Sequence, residues 1–121
     1  LGDPANGMAL FRTNCAMCHG AIGKGGALTQ GKYAPSLAST SPRNVYQAML
    51  TGPGSMPVFN DANLAPEDKR DVIAFLDQQH QGSPGGTDLG AVGPVVEGLW
   101  VWIVGMGALI GAAVWIGAKS A

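Results

Sequence analysis

The sequence has 121 residues, enough for about one small domain, and its formal net charge is −1. Its seven Lys and Arg residues are balanced by eight Asp and Glu residues. This balance argues against a nucleic-acid partner, because such partners need clusters of basic side chains that neutralise phosphates.

The first predicted helix covers about residues 4–14. Pro4 follows Asp3, and proline is favoured in the first turn of a helix. Gly7 and Phe11 are four residues apart and therefore share one face of this helix. A glycine inside a helix costs about 1 kcal/mol relative to alanine. We therefore expect Gly7 to bring a gain that offsets this cost.

The next stretch, Cys15-Ala16-Met17-Cys18-His19, has the spacing C-x-x-C-H. This is the attachment signature of a c-type haem, in which two thiols add across the vinyl groups of the porphyrin and the adjacent imidazole ligates the iron. A thioredoxin-like motif would need a βαβ context, a zinc site would need a second pair of ligands, and a disulfide would leave the histidine unexplained. The sequence therefore predicts one covalently bound haem c, held by Cys15 and Cys18, with His19 as an axial ligand.

The glycine-rich residues 20–26 predict a loop. A second helix is predicted to begin at Pro42, with Ser41 as its cap. Apolar residues at helical spacing continue to Leu50, and the Gly-Pro pair at 52–53 ends the helix.

The loop after this helix presents a thioether, that of Met56, 37 residues after His19. We predict Met56 as the distal ligand of the haem iron. Met17 lies inside the attachment motif and cannot reach the opposite face of the haem, and Met106 belongs to the C-terminal apolar segment. Met8 and Met49 lie at core spacing on helices, where methionine serves packing. His80 follows the pattern of a histidine at a helix C-terminus, which suits an exposed position.

A third helix is predicted over about residues 66–79, with Glu67 and Asp68 at its positive end. Ala65 precedes it, although serine or aspartate is preferred at an N-cap. The acidic residues of this helix are interpreted as a solvated surface. Its buried face is predicted to comprise Val72, Ile73, Phe75 and Leu76.

The segment 98–118 contains no charged residue and would form a helix of about 30 Å, enough to cross the hydrocarbon core of a membrane. Lys119 follows it, in agreement with a cytoplasmic end. Gly107 and Gly111 form a G-x-x-x-G face, which is typical of helices that pack on other membrane helices. The predicted regions are a haem domain over 1–81, a Gly- and Pro-rich linker over 82–96, a transmembrane helix over 97–118 and a short tail over 119–121.

With its C-x-x-C-H motif and the later loop that contains Met56 and Pro57, the chain resembles class I cytochromes c. The resemblance implies a mainly α fold, here a class I cytochrome c fold followed by a single C-terminal transmembrane helix. It implies that Gly7 lets the first helix cross the last globular helix closely, and that the carbonyl of Pro35 accepts a hydrogen bond from the second nitrogen of His19. It also implies a haem domain on the extracytoplasmic side of the cell membrane. Candidate pocket and propionate contacts are Tyr33, Tyr46, Lys32 and Arg43.

The whole chain further resembles the second haem domain and C-terminal span of the dihaem cytochrome c subunit of actinobacterial cytochrome bcc complexes. That family carries two C-x-x-C-H motifs, whereas one is present here. The resemblance implies a relay from a Rieske centre through another haem c to this haem, and then to the copper centre of a cytochrome c oxidase. The implied partners are the membrane, cytochrome b, the Rieske subunit and oxidase subunits. The segments that carry the resemblance are 31–35, 46–53, 97–102 and 115–120.

Two other functions remain open at this point. One is an anchored cytochrome c domain of another oxidase or dehydrogenase. The other is a haem site with an open distal position, which binds a ligand or acts like a peroxidase. No separate catalytic set is expected, because two histidines, one of them committed to iron, leave no plausible Ser/His/Asp arrangement.

Overall fold

The computed structural model describes residues 2–82 and 94–120 and is mainly helical, as the sequence predicts. The chain divides into two compact units, Leu1–Ala91 and Val92–Ala121. Most of the predicted linker, residues 83–93, lies outside the described residues. The elements of the first unit are α1 (Pro4–Asn14), α2 (Ala16–His19), β1 (Gly26–Ala27), a 3-10 turn (Thr29–Gly31), β2 (Tyr33–Ala34), α3 (Pro42–Thr51) and α4 (Pro66–His80).

The helices α1 and α3 begin where the local capping signals predict. A carboxylate oxygen of Asp3 accepts a hydrogen bond from the backbone N–H of Ala5 at 2.9 Å. The hydroxyl oxygen of Ser41 accepts one from the backbone N–H of Asn44 at 3.3 Å. Each cap satisfies a backbone donor that has no partner inside its helix, and each is followed by proline at the first helical position. Gly52 ends α3 in the left-handed conformation, with φ of 59°.

Helix α4 begins at Pro66, as predicted, and ends at His80, one residue beyond the predicted end. Ala65 has no side-chain oxygen that could cap the helix. Instead, the carboxylate of Asp68 reaches back and accepts a hydrogen bond from the backbone N–H of Ala65 at 3.3 Å. This is half of a capping box, and it compensates for the missing cap residue.

The crossing of α1 and α4 organises the first unit. Gly7 is buried, and a Cβ atom at this position would lie 1.9 Å from the carbonyl oxygen of Asp71. One helical turn later, the rings of Phe11 and Phe75 pack with centroids 5.4 Å apart at an interplanar angle of 47°. Such tilted aromatic pairs add about 0.5–1.5 kcal/mol to the effect of area burial. The close approach expected at Gly7 is therefore confirmed.

The carboxylate of Asp71 fastens the start of α1 to α4. It accepts hydrogen bonds from the side-chain amide of Asn6 and from the backbone N–H of Asp3, both at 2.8 Å. Because both bonds favour the charged form, they lower the pKa of Asp71 below its usual value, and the amide of Asn6 contributes most.

The core of this unit is small and is shared by three helices and one loop. Ile73, predicted as part of the buried face of α4, is only half-buried, whereas the other three predicted positions are buried. A unit of this size buries little apolar surface, so an additional apolar group at its centre would stabilise it. The buried apolar cluster comprises Phe11, Val45, Met49, Leu64, Val72, Phe75 and Leu76.

A two-residue antiparallel ladder joins β1 and β2, with Gly26 opposite Ala34 and Ala27 opposite Tyr33. The sequence predicts only a loop over residues 20–26, and two-residue strands have no periodicity that could reveal them. The ladder matters because it brings the residues after Tyr33 alongside the attachment motif.

The second unit contains helix α5, Pro94–Lys119, which begins three residues before and ends one residue after the predicted span. Its segment Glu97–Lys119 is long and apolar enough to cross a membrane. The large apolar side chains described along it are exposed. At its end, the ammonium of Lys119 lies 5.0 Å from the ring centroid of Trp115, within cation–π range.

Candidate haem site

A cavity of about 770 Å³ opens in the first unit, within the range of about 300–1,000 Å³ that is usual for cofactor and ligand pockets. Its lining is mostly apolar and comes from the attachment motif, the segment after β1, α3, α4 and the loop that follows α3. Cys15, Cys18, His19 and Met56 all line this one cavity. The structure thus brings together residues that the sequence separates by up to 41 positions.

The two thiols and the imidazole come from a single helical turn. The backbone N–H of Cys15 donates to the carbonyl of Phe11 at 2.8 Å and so continues α1 to the motif. The N–H groups of Cys18 and His19 then both donate to the carbonyl of Cys15, at 3.2 and 2.9 Å. Burial, with a smaller contribution from neighbouring Cys18, raises the pKa of the Cys15 thiol to about 11. This apolar position suits an uncharged sulfur, such as that of a thioether.

The imidazole of His19 is 8 % exposed, and its Nδ1 lies 3.0 Å from the carbonyl oxygen of Pro35. A carbonyl oxygen can only accept, so Nδ1 carries the proton and donates it. In the neutral tautomer that donates from Nδ1, Nε2 keeps its lone pair for a metal, and the hydrogen bond raises its basicity. The contact is the one that the resemblance to class I cytochromes c implies.

Gly25 lets the loop before β1 pass directly against the segment that holds Pro35. Its N–H donates to the carbonyl of His19 at 2.7 Å. Its φ is 84°, and a Cβ atom here would lie 2.6 Å from the carbonyl oxygen of Ala34. Both the backbone conformation and the space therefore require glycine.

Met56 is half-buried on the loop that follows α3. Its N–H donates to the carbonyl of Pro53 at 3.1 Å, and the N–H of Phe59 donates to the carbonyl of Met49 at 2.7 Å. The first bond closes a turn within the loop, and the second fastens the far side of the loop to α3. Met49 also lines the cavity, but it is buried within the core on α3. Met17, inside the motif, is 89 % exposed and does not line the cavity.

The structure brings only some of the pocket candidates to the cavity. Tyr33 and Lys32 line it, and Tyr33 is 66 % exposed. Tyr46 and Arg43 are not among its lining residues. Tyr46 lies instead beside Lys69, whose ammonium is 6.0 Å from its ring centroid. The expected contact of Tyr46 with the pocket is therefore absent from this arrangement of the described residues.

Lys69 is completely buried, and its ammonium donates to the carboxylate of Asp61 at 2.6 Å. This ion pair was not predicted from the sequence, because only the acidic residues of α4 were interpreted there, as a solvated surface, and Lys69 was not singled out. A signal was present: Lys69 precedes Val72 and Ile73 by three and four positions and therefore shares their helix face. The pair ties the turn before α4 to the helix itself.

His80, the other histidine, does not line the cavity. Its Nε2 lies 2.8 Å from the carbonyl oxygen of Leu37 and so acts as a hydrogen-bond donor there. A nitrogen engaged in this way is not available to bind a metal.

The residues around the cavity fit a covalently attached haem. The space is large and apolar, two thiols lie within one turn of its wall, and the imidazole of His19 beside them uses Nδ1 for its hydrogen bond to Pro35. An imidazole and the thioether of Met56 on the same cavity suit an iron that is already held by a porphyrin.

Comparison with known proteins agrees with this geometry. The sequence model of the family "Cytochrome C oxidase, cbb3-type, subunit III" matches residues 2–76. The cytochrome bc1 complex cytochrome c subunit of Corynebacterium efficiens is 51 % identical over 119 residues, which are 98 % of this chain and 40 % of the relative. The subunits of the same name from Corynebacterium diphtheriae and Mycobacterium tuberculosis H37Rv are each 50 % identical over 98 % of this chain and 42 % of the relative.

The chain spans about two fifths of the length of these curated relatives. The family match covers more than half of the chain and includes the attachment motif, the Met56 loop and most of α4. Together with the helices of the first unit, it confirms the expected cytochrome c fold, followed by one apolar C-terminal helix. The chain belongs to the cytochrome c family that this sequence model represents.

Proposed function

We propose that the chain is an electron-transfer part of the cytochrome c subunit of a bc1-type quinol–cytochrome c reductase. In this proposal, Cys15 and Cys18 hold one haem c through thioether bonds, and His19 and Met56 are its axial ligands. The observation that carries the proposal is the single apolar cavity that all four residues line.

Each residue of the site has a definite task in this proposal. The bound haem supplies one-electron exchange between ferrous and ferric iron. The Pro35 carbonyl orients the ring of His19 and increases its electron donation. The thioether of Met56 is a soft ligand that raises the reduction potential, as an acceptor of quinol-derived electrons requires. The apolar lining excludes water and thereby lowers the local dielectric constant.

We place this haem late in a relay: electrons pass from a Rieske centre through another haem c to this haem, and then to the copper centre of a cytochrome c oxidase. The chain would be the second haem domain and C-terminal span of a dihaem subunit, with cytochrome b, the Rieske subunit and oxidase subunits as partners. The names of these relatives, cytochrome c subunits of cytochrome bc1 complexes, support the assignment to a bc1 complex. The resemblance to actinobacterial bcc complexes supports the further steps.

The proposed topology has the haem domain, residues 1–81, on the extracytoplasmic side of the cell membrane. Residues 82–96 form the linker, 97–118 cross the membrane, and 119–121 are cytoplasmic. The length and composition of α5 support the span, and Lys119 supports the orientation.

The first experiment is optical. The chain is produced in a host that attaches haem to C-x-x-C-H motifs, and covalent haem is quantified after acid and organic extraction. We expect one haem per chain, a sulfur-to-iron charge-transfer band in the ferric protein, and no carbon monoxide binding in the native ferrous protein. An absent band together with ready carbon monoxide binding would contradict Met56 ligation and favour a ligand-binding or peroxidase-like site.

The name of the matching family favours a second candidate, a subunit of a cbb3-type oxidase. Gentle solubilisation of the native membrane, followed by isolation of this chain, separates the two. Co-purification of cytochrome b and a Rieske protein is the expected result. Isolation with an oxidase but without cytochrome b would establish the second candidate and overturn the first.

A further inference from the structure

The carbonyl of Pro35 belongs to a segment, residues 35–41, that is neither helix nor strand. The backbone N–H and the backbone carbonyl of Leu37 both fasten this segment to other parts of the fold. Its N–H donates to the carbonyl of Gly23 at 2.7 Å, and its carbonyl accepts from Nε2 of His80 at 2.8 Å. His80 is 43 residues away in sequence, so this is a long-range tether rather than a local turn.

Helix α4 is therefore linked to both sides of the hydrogen bond between His19 and Pro35, in each case through a neighbouring residue of the chain. On the histidine side, α1 packs on α4 through Phe11 and Phe75 and leads directly into the turn that contains His19. On the carbonyl side, the last residue of α4, His80, holds the segment that contains Pro35. One helix thus fixes the position of the backbone on the histidine side and on the carbonyl side of this hydrogen bond.

We propose that His80 is a positioning residue for the proximal hydrogen bond, and through it for the reduction potential of the bound haem. This inference rests on the proposed function, in which His19 is an axial ligand. Without the bond from His80, the carbonyl of Pro35 moves more freely and its hydrogen bond to His19 weakens. A weaker bond decreases electron donation to the iron, destabilises the ferric form and raises the potential.

Two substitutions of similar length separate donation from packing. His80→Gln keeps an N–H donor, and His80→Met keeps the length but cannot donate. Because His80 is exposed, both variants are expected to fold. The matched control is Gln78→Met, an exposed position on the same turn of α4.

The test uses the full haem-loaded chain in detergent, with haem content measured first. Proton exchange at Nδ1 of His19 is followed by NMR, because it reports the opening of the bond to Pro35. In His80→Met we expect exchange about 2- to 10-fold faster, the range that corresponds to the loss of one ordinary hydrogen bond. The reduction potential should rise in the same variant, whereas His80→Gln and Gln78→Met should behave like the parent protein.

The outcomes are distinguishable from a failure of the proposed function. A parent chain that attaches no haem would overturn the function itself. If all variants carry haem and His80→Met leaves exchange and potential unchanged, the positioning role is wrong. A lower potential in His80→Met would also overturn it, because a weakened proximal hydrogen bond can only decrease electron donation to the iron.

Discussion

The close crossing of α1 and α4 makes Gly7→Ala a test whose sign is informative. In an isolated helix this substitution stabilises by about 1 kcal/mol, because alanine has the higher helix propensity. Here the new Cβ atom would lie 1.9 Å from the carbonyl oxygen of Asp71. A real Cβ atom essentially never approaches a non-bonded heavy atom to less than 3.0 Å, so the helices would have to separate by more than about 1 Å.

Separation of that size loosens the packing of Phe11 on Phe75, one turn further along the crossing. Overpacking in a close-packed interior costs about 1–3 kcal/mol, and partial loss of the aromatic contact adds to this cost. After subtraction of the propensity gain of about 1 kcal/mol, we expect Gly7→Ala to lower the free energy of unfolding by about 0.5–3 kcal/mol.

The assay is urea unfolding of the haem-loaded chain in detergent, followed by haem absorbance and far-ultraviolet circular dichroism. Ala9→Gly, at an exposed position of the same helix, is the control and should lose about 1 kcal/mol through propensity alone. If Gly7→Ala is as stable as the parent protein or more stable, the close crossing is not a constraint and the reasoning is refuted.

Three further predictions concern the distal loop, the buried ion pair and acid stability. Met56→Leu should abolish the sulfur-to-iron band and allow carbon monoxide to bind. Met49→Leu should keep the band and lower the free energy of unfolding by less than about 1.5 kcal/mol. The reverse pattern would identify Met49 as the ligand. Asp61→Asn should lower the free energy of unfolding by about 1–3 kcal/mol, because it leaves the buried ammonium of Lys69 without its counter-charge. Lys69→Met removes the ammonium itself and should cost less. Equal losses of unfolding free energy in urea would contradict this. The lowered pKa of Asp71 stabilises the fold above about pH 4, and this contribution is lost as the pH falls through the folded-state pKa. Asp71→Asn should therefore be less stable than the parent protein at pH 7 but lose less stability between pH 6 and pH 3. Parallel profiles of unfolding free energy against pH would show that the carboxylate has no such role.

The helices could be predicted closely because their signals are local. The Asp-Pro and Ser-Pro pairs at the starts of α1 and α3 act within one turn, and the structure confirms both starts. The apolar segment of α5 needs no tertiary information at all. The C-x-x-C-H motif is equally local, since its spacing alone indicates the cofactor.

The missed features all depend on contacts between distant residues. The two-residue ladder forms because the glycine loop approaches the segment at Ala34, and no sequence period marks such a contact. Tyr46 was expected at the pocket from its proximity to the predicted haem site, but it is not among the lining residues, and its ring lies near the ammonium of Lys69. The burial of Lys69 depends on Asp61, which lies outside the helix. His80 was weighed only as a ligand, and its bond to Leu37 could not be read from the sequence.

The burial of Cys15 has a consequence for the reactivity of its sulfur. Burial raises the pKa of this thiol to about 11, and the thiolate is the reactive form of cysteine. In the folded, haem-free protein the Cys15 thiol is therefore less readily ionised than a free one. The same apolar surroundings favour an uncharged thioether sulfur at this position, so the wall of the cavity suits the bonded sulfur better than the reactive one.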